Sequence, residues 1–311
     1  MRYIITLAIA STPAFAEVPK VVTDIPPVDA LVAQVMGDLG QPELLLTKGA
    51  DEHDFQLRPS QAGAVAGSDL VVWIGPELTP WLESAMQNRP EGAASIGLLD
   101  AEETMLRGYG EDVGAGDHDE AGQDGAGQDG AGQDDRADGD TDPHAWMNPD
   151  NAQRWLGLIA AELSRLDPEN AATYAANALA ASERLVTLDN EIAAMLAPVQ
   201  GKPIVTFHDA YGYFAAHYGL KLYGSIALGD AASPGALRLK ELRKTMESGG
   251  VLCIFPEAQY DSALVLQMAE GTGARVGGTL DPVGSTLEAG PGAYDAFLKG
   301  MAQTIADCVQ G

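Results

Sequence analysis

Long apolar runs are nearly missing from this chain. Beyond residue 16 no stretch approaches the ~18 apolar residues that a membrane span needs, so the body of the chain reads as globular. Cysteine is scarce too: Cys253 and Cys308 are the only two, and the absence of a CxxC spacing argues against metal ligation by that pair. Positive charge is thin. Lys and Arg number 18 against 45 Asp and Glu, a formal net charge of −27, which repels nucleic acid and anionic lipid surfaces. A cationic ligand is compatible with that charge, although acidic surfaces also serve solubility. No GxGxxG follows the first strand-like run of either half, so a dinucleotide cofactor is unsupported, and no HExxH helix points to a metallohydrolase.

What is present begins with Met1-Arg2-Tyr3, an apolar run from Ile4 to Ala10, and the small-residue pattern Ala14-Phe15-Ala16. Charge, apolar core and small residues in that order predict a signal peptide over 1–16, cut before Glu17, against the plainer alternative of a short buried strand. The expected destination is a periplasm, in soluble form, because neither cysteine lies where a lipid anchor would attach. In an oxidising compartment the two cysteines are candidates for one bridge, tying the strand-like Val251–Phe255 to a C-terminal helix, or else for two buried free thiols. A length of 311 residues with 46% apolar content suits two compact domains better than one.

From Lys20 to Asp100 short apolar runs alternate with helical patterns: Val21–Thr23, Leu44–Leu46, Leu70–Ile74 and Ile96–Leu99 as strands, with helices between them. The alternation resumes after residue 198 with Ile204–Phe207, Leu222–Ile226, Val251–Phe255 and Ala274–Leu280. Fully apolar strands alternating with helices predict parallel sheets covered on both faces. The expected fold class is therefore α/β: two lobes, each with a parallel four-stranded sheet flanked by helices. An amphipathic pattern covers Pro149–Leu166, and Pro168 opens another that reaches about Leu196, with Leu179, Leu185, Leu188, Ile192 and Leu196 as its apolar face. We read residues 168–197 as a linking helix between an N-terminal lobe (17–167) and a C-terminal lobe (198–311). Between them in composition stands 111–142, where Ala-Gly-Gln-Asp-Gly recurs at 121–125 and 126–130 and nearly again at 131–135. Twelve carboxylates, one Arg and nothing large and apolar beyond Val113 predict a disordered acidic insertion, either a solvated spacer or a weak attractor of cations.

Of five histidines, three occupy informative places: His53 in Gly49-Ala50-Asp51-Glu52-His53-Asp54-Phe55, His144 in Asp142-Pro143-His144-Ala145-Trp146, and His208 in Thr206-Phe207-His208-Asp209. Two follow predicted strand ends and one precedes a helix, the positions that line the crevice of an open α/β sheet. Asp281, in Thr279-Leu280-Asp281-Pro282, ends the last strand of the second half in the same way. His53 and His144 come from one half and His208 and Asp281 from the other, so a shared ligand would lie between the lobes. Three imidazoles and a carboxylate suit tetrahedral zinc, whereas a harder ion such as manganese prefers more carboxylates. His118 falls in the acidic insertion and His217 on the helix after His208, where a solvent-facing ring is the plainer reading.

The four stretches at 49–60, 142–149, 207–214 and 278–282 resemble, in order and spacing, the cluster A-I periplasmic metal-binding proteins of ABC importers, and closely their zinc-specific (ZnuA-like) branch. The resemblance covers essentially the whole mature chain. It implies a two-lobed fold joined by one long rigid helix, a single high-affinity zinc ion between the lobes, and delivery of that ion to an inner-membrane permease. It further implies His53, His144 and His208 as metal ligands with Asp281 as the fourth, Glu52 being the alternate. Cys253 and Cys308 match the branch's disulfide positions. The central insertion departs from the histidine-rich form of many zinc members, leaving His118 as a weak accessory ligand only. A monomer is expected, without nucleic acid, with a zinc-delivering protein as a further candidate partner. Competing readings are a manganese or iron receptor of the same family, a surface adhesin, and a zinc-dependent hydrolase.

Overall fold

The computed structural model describes residues 17–110, 141–227 and 234–311. The expected signal peptide, His118 and all of the acidic insertion but its last two residues lie outside the described residues.

Two separate four-stranded sheets form, both wholly parallel. In the first, β1 (Val21–Thr23), β2 (Glu43–Leu44), β3 (Leu70–Trp73) and β4 (Ala94–Gly97) run in the order β2-β1-β3-β4. In the second, β5 (Pro203–His208), β6 (Lys221–Ala227), β7 (Cys253–Ile254) and β8 (Arg275–Val276) run in the order β6-β5-β7-β8. The wiring is the same in both. In each, the connections reverse direction between the first and third strands of the sheet, and the crevice at the carboxyl ends of those strands is where such folds place ligands.

Strand alternation assigns the two faces of each sheet. Val21, Leu70 and Val72 face a large core shared by both halves, whereas Val22, Val71 and Trp73 face an outer cluster with Val65 of α2 (Pro59–Ala66) and Leu82 of α3 (Pro80–Met86). In the second sheet Ile204 joins the shared core. Val205, Phe207 and Ile254 pack outward on Leu242 and Met246 of α7 (Ala236–Gly249) and Val265 and Met268 of α8 (Ala263–Ala269). The shared core is completed by α1 (Pro26–Met36), α4 (Pro149–Leu166), α5 (Ala171–Leu196), α6 (Gly212–Tyr218) and α9 (Ala293–Gln310). Proline at the first turn of α1 to α4 fits positions whose amide lacks an intrahelical partner, and the Asn148 side chain caps α4 by accepting from the Asp150 amide at 2.9 Å.

The long helix differs slightly from expectation. Pro168–Asn170 is a 3-10 turn, α5 proper has 26 residues, and a second 3-10 turn covers Ala197–Val199, so the helical run extends from 168 to 199. At 1.5 Å per residue α5 spans about 39 Å. Its buried face is Tyr174, Ala178, Ala181, Leu185, Leu188, Ile192 and Leu196, and Leu179 is 64% exposed. Leu179 sits one residue, or about 100°, beyond the Ala178 row, and the smaller side chain holds the interior position. Cys253 and Cys308 are bonded, Cα to Cα 6.3 Å, joining β7 to α9.

Candidate metal centre

Each of the three histidines enters the cleft from a different kind of backbone. His208 is the last residue of β5 and is fixed by the ladder beneath it. His144 precedes the 3-10 turn Ala145–Met147 that leads into α4. His53 sits in the irregular stretch between β2 and α2, where its amide donates to Asp51 Oδ1 at 2.9 Å, an Asx turn closing on its own sequence.

The three rings converge. Their centroids are 5.4 Å (His144–His208), 5.6 Å (His53–His144) and 6.1 Å (His53–His208) apart, and one nitrogen from each lies within 4.8 Å of the other two. All three Nε2 atoms are buried. Tetrahedral zinc at about 2.0–2.1 Å would set those nitrogens about 3.3 Å apart, so the donor set fits the ion with a contraction of at most about 1.5 Å.

Two carboxylates that the sequence reading passed over hold two of the rings. Asp142 Oδ1 accepts from His144 Nδ1 at 2.7 Å and from the His144 amide at 2.9 Å. Glu257 Oε2 accepts from His208 Nδ1 at 2.5 Å, while its Oε1 accepts from the His208 amide at 3.2 Å and from Tyr211 Oη at 2.9 Å. A carboxylate on Nδ1 fixes the tautomer in which Nε2 keeps its lone pair, raises ligand basicity and stops ring rotation. Both acids were open to discovery: Asp142 stands two residues before His144, and Glu257 follows β7, the strand beside β5.

Of the two fourth-ligand candidates, Glu52 is near and Asp281 is engaged elsewhere. Glu52 is 1% exposed and its Oε1 is 3.7 Å from His53 Nε2. Burial pushes its carboxyl up to about 8, its own backbone amide and then His208 pulling the other way. Neither acid belongs to the group of mutually close ligand atoms, which holds the three imidazoles; both oxygens of Asp281 accept hydrogen bonds within its own loop and from Gln259. His217 is also outside the group, its Nε2 2.8 Å from Asp189 Oδ1 on α5.

Two lobes wired alike, resting on one helical layer with imidazoles from both grouped between them, define the class of solute-binding proteins built around a long helix. The particular family follows from comparison. The sequence model described as zinc-uptake complex component A, periplasmic, matches residues 21–308, and the chain belongs to that family. The high-affinity zinc uptake system protein ZnuA of Paracoccus denitrificans (strain Pd 1222) is 49% identical, over 97% of this chain and 95% of its own. A zinc-bound crystal structure of a ZnuA deletion mutant superposes with a TM-score of 0.73 at 26% identity, covering 93% of this chain and 98% of its own. The solute-binding protein FpvC of Pseudomonas aeruginosa, solved with Mn2+, superposes with a TM-score of 0.78 at 21% identity, over 94% of this chain and 99% of its own, a likeness of fold alone. Among the described residues no helix is long and apolar enough to cross a membrane.

Proposed function

We propose that this chain is a zinc receptor: it captures one zinc ion through His53, His144 and His208 and carries it to an ABC permease in the inner membrane. The observation that supports this reading most is the group of three buried imidazole nitrogens within 4.8 Å, two of whose rings are oriented by carboxylates. Glu52 is the fourth ligand in this reading. Its buried carboxyl gains a compensating positive charge when the ion arrives, and the proton that burial favours is released. Three imidazoles with one carboxylate suit zinc better than manganese, which draws on harder oxygen donors. The division into an N-terminal lobe (17–167), a linking helix (168–197) and a C-terminal lobe (198–311) belongs to the same proposal. So do removal of residues 1–16, a periplasmic location, a monomeric state, a zinc-delivering partner, and His118 as no more than an accessory ligand.

The decisive measurement is metal analysis of the mature protein after equilibration against equimolar zinc and manganese. One zinc per chain is expected. His208→Ala should weaken zinc by at least about a hundredfold, since a four-ligand site worth ~10–16 kcal/mol loses roughly a quarter of its bonds. Preferential manganese loading, or zinc retention unchanged by His208→Ala, contradicts the reading. Zinc-dependent hydrolysis of model esters or phosphates would favour an enzyme instead.

A further inference from the structure

The carboxylate of Asp281 is fully engaged by its own surroundings. Oδ1 accepts from the Ser285 amide (3.0 Å) and from Gln259 Nε2 (3.0 Å), with Ser285 Oγ at 3.4 Å. Oδ2 accepts from the Thr286 amide (2.8 Å) and Thr286 Oγ1 (2.6 Å). Those bonds wrap the chain after β8 into a fixed loop, and the loop reaches across the cleft at two places. The Ser285 carbonyl accepts from the Gly49 amide at 3.0 Å, three residues before Glu52. The Pro282 carbonyl accepts from Trp146 Nε1 at 3.0 Å, two residues after His144. Gly49 has φ +76°, in the left-handed region that favours glycine, and this sets the direction of its amide. Beside that contact Tyr260 is hydrogen-bonded to Asp51, so the segment leading into Glu52 and His53 is held to the second lobe at Gly49 and again at the first residue of the Asx turn.

We propose that Asp281 is a positioning residue that stays out of the ion's coordination: it shapes the 281–286 loop into a clasp that holds both first-lobe ligand segments, at Gly49 and at Trp146, against the second lobe. This rests on the receptor reading above. Asp281 then governs how long the ion is retained and leaves the identity of its ligands unchanged. A carboxylate that already accepts four hydrogen bonds within 3.0 Å would have to abandon the loop to reach an ion, and the clasp would open as it did so.

The test compares wild type, Asp281→Ala, Asp281→Asn and Glu52→Gln in the full mature chain loaded with zinc. X-ray absorption at the zinc edge reads the coordination shell, competition with a chromophoric chelator reads the dissociation rate, and amide hydrogen exchange reads the segment containing Gly49. Asp281→Ala should keep one zinc with an unchanged shell, release it about tenfold faster, and exchange at Gly49 faster by a comparable factor. Asp281→Asn, which retains one acceptor oxygen, should fall between; it also serves if the alanine variant loses its far-UV signature. Glu52→Gln should alter the shell while Gly49 exchanges as in wild type. Loss of an oxygen donor from the shell of Asp281→Ala makes Asp281 a ligand and overturns the proposal, as does unchanged release together with unchanged Gly49 exchange. Failure of the receptor reading would show separately, as wild type taking up no zinc, and the Gly49 comparison in metal-free protein would still decide the clasp.

Discussion

The equivalent crevices of the two lobes are furnished differently. At the reversal point of the first sheet, Asp24 follows β1 and turns its carboxylate onto backbone: Oδ1 accepts from the Ile25 amide and Oδ2 from the Ile74 amide just past β3, both at 2.8 Å. At the reversal point of the second sheet, His208 ends β5 and meets Glu257 just past β7. One crevice is sealed by an acid that serves the fold, and the other is lined by an imidazole–carboxylate pair that serves the ligand. The first lobe accordingly brings its own imidazoles, His53 and His144, from outside its sheet. Duplicated architecture therefore does not mean duplicated chemistry, since the strand-end position admits either role.

Three perturbations sharpen that contrast. The largest removes the covalent staple, which only the second lobe carries. Replacing Cys253 and Cys308 by alanine should lower the unfolding free energy by about 4 kcal/mol in denaturant titration while zinc stoichiometry stays at one. A folded double variant that no longer takes up zinc would mean that the staple reaches the site. The next acts on the first lobe. Burial, before its hydrogen bonds, pushes Asp24 up to about 7 and Asp29 up to about 6, against 3.8 for each carboxyl in the open. The folded chain therefore holds protons that the unfolded chain has released between about pH 4 and pH 7, and stability falls as pH rises through that window. For Asp24 this should be on the order of 3 kcal/mol in thermal melts of the metal-free protein. Asp24→Asn should flatten the profile, leaving the smaller slope due to Asp29; an unaltered profile would remove Asp24 from the account. The smallest touches the acids behind the imidazoles. Glu257→Gln and Asp142→Asn should each weaken zinc by about ten- to hundredfold in chelator competition, the usual range for outer-shell partners. Equal affinity to wild type would reduce both acids to packing.

The sheets were legible because their strands are continuous apolar runs, which only a doubly covered parallel sheet accommodates. Their ends were less so. The run read as Ile96–Leu99 pairs over Ala94–Gly97, and Val251–Phe255 contributes only Cys253 and Ile254 to the ladder, because apolar runs continue past the last paired residue into the core. The histidines were legible from strand-end placement and from the family pattern around them. The supporting acids carried a weaker signal: Asp142 lies two residues before His144 and Glu257 just past a strand run, but each is one of 45 acidic residues until tertiary structure sets it against Nδ1. Asp281 shows the converse: its place at the end of a strand run matches a ligand's, and only the folded loop reveals that its oxygens are already bonded.

The single core beneath α5 has a kinetic consequence. Residues of both lobes pack into one hydrophobic cluster, from Val21 and Leu31 through Leu185 to Tyr294 and Val309, so swinging the lobes apart would tear apolar contacts along the whole helical layer. The stretch between β2 and α2 is tied in more lightly: Leu45 and Leu46 are buried at its start, Ala50 and Phe55 only partly pack against that core, and hydrogen bonds such as Gly49 to Ser285 hold the turn between them. Traffic of the ion would then be metered by brief local excursions of that stretch, a first-order step whose tempo is indifferent to how much metal waits outside.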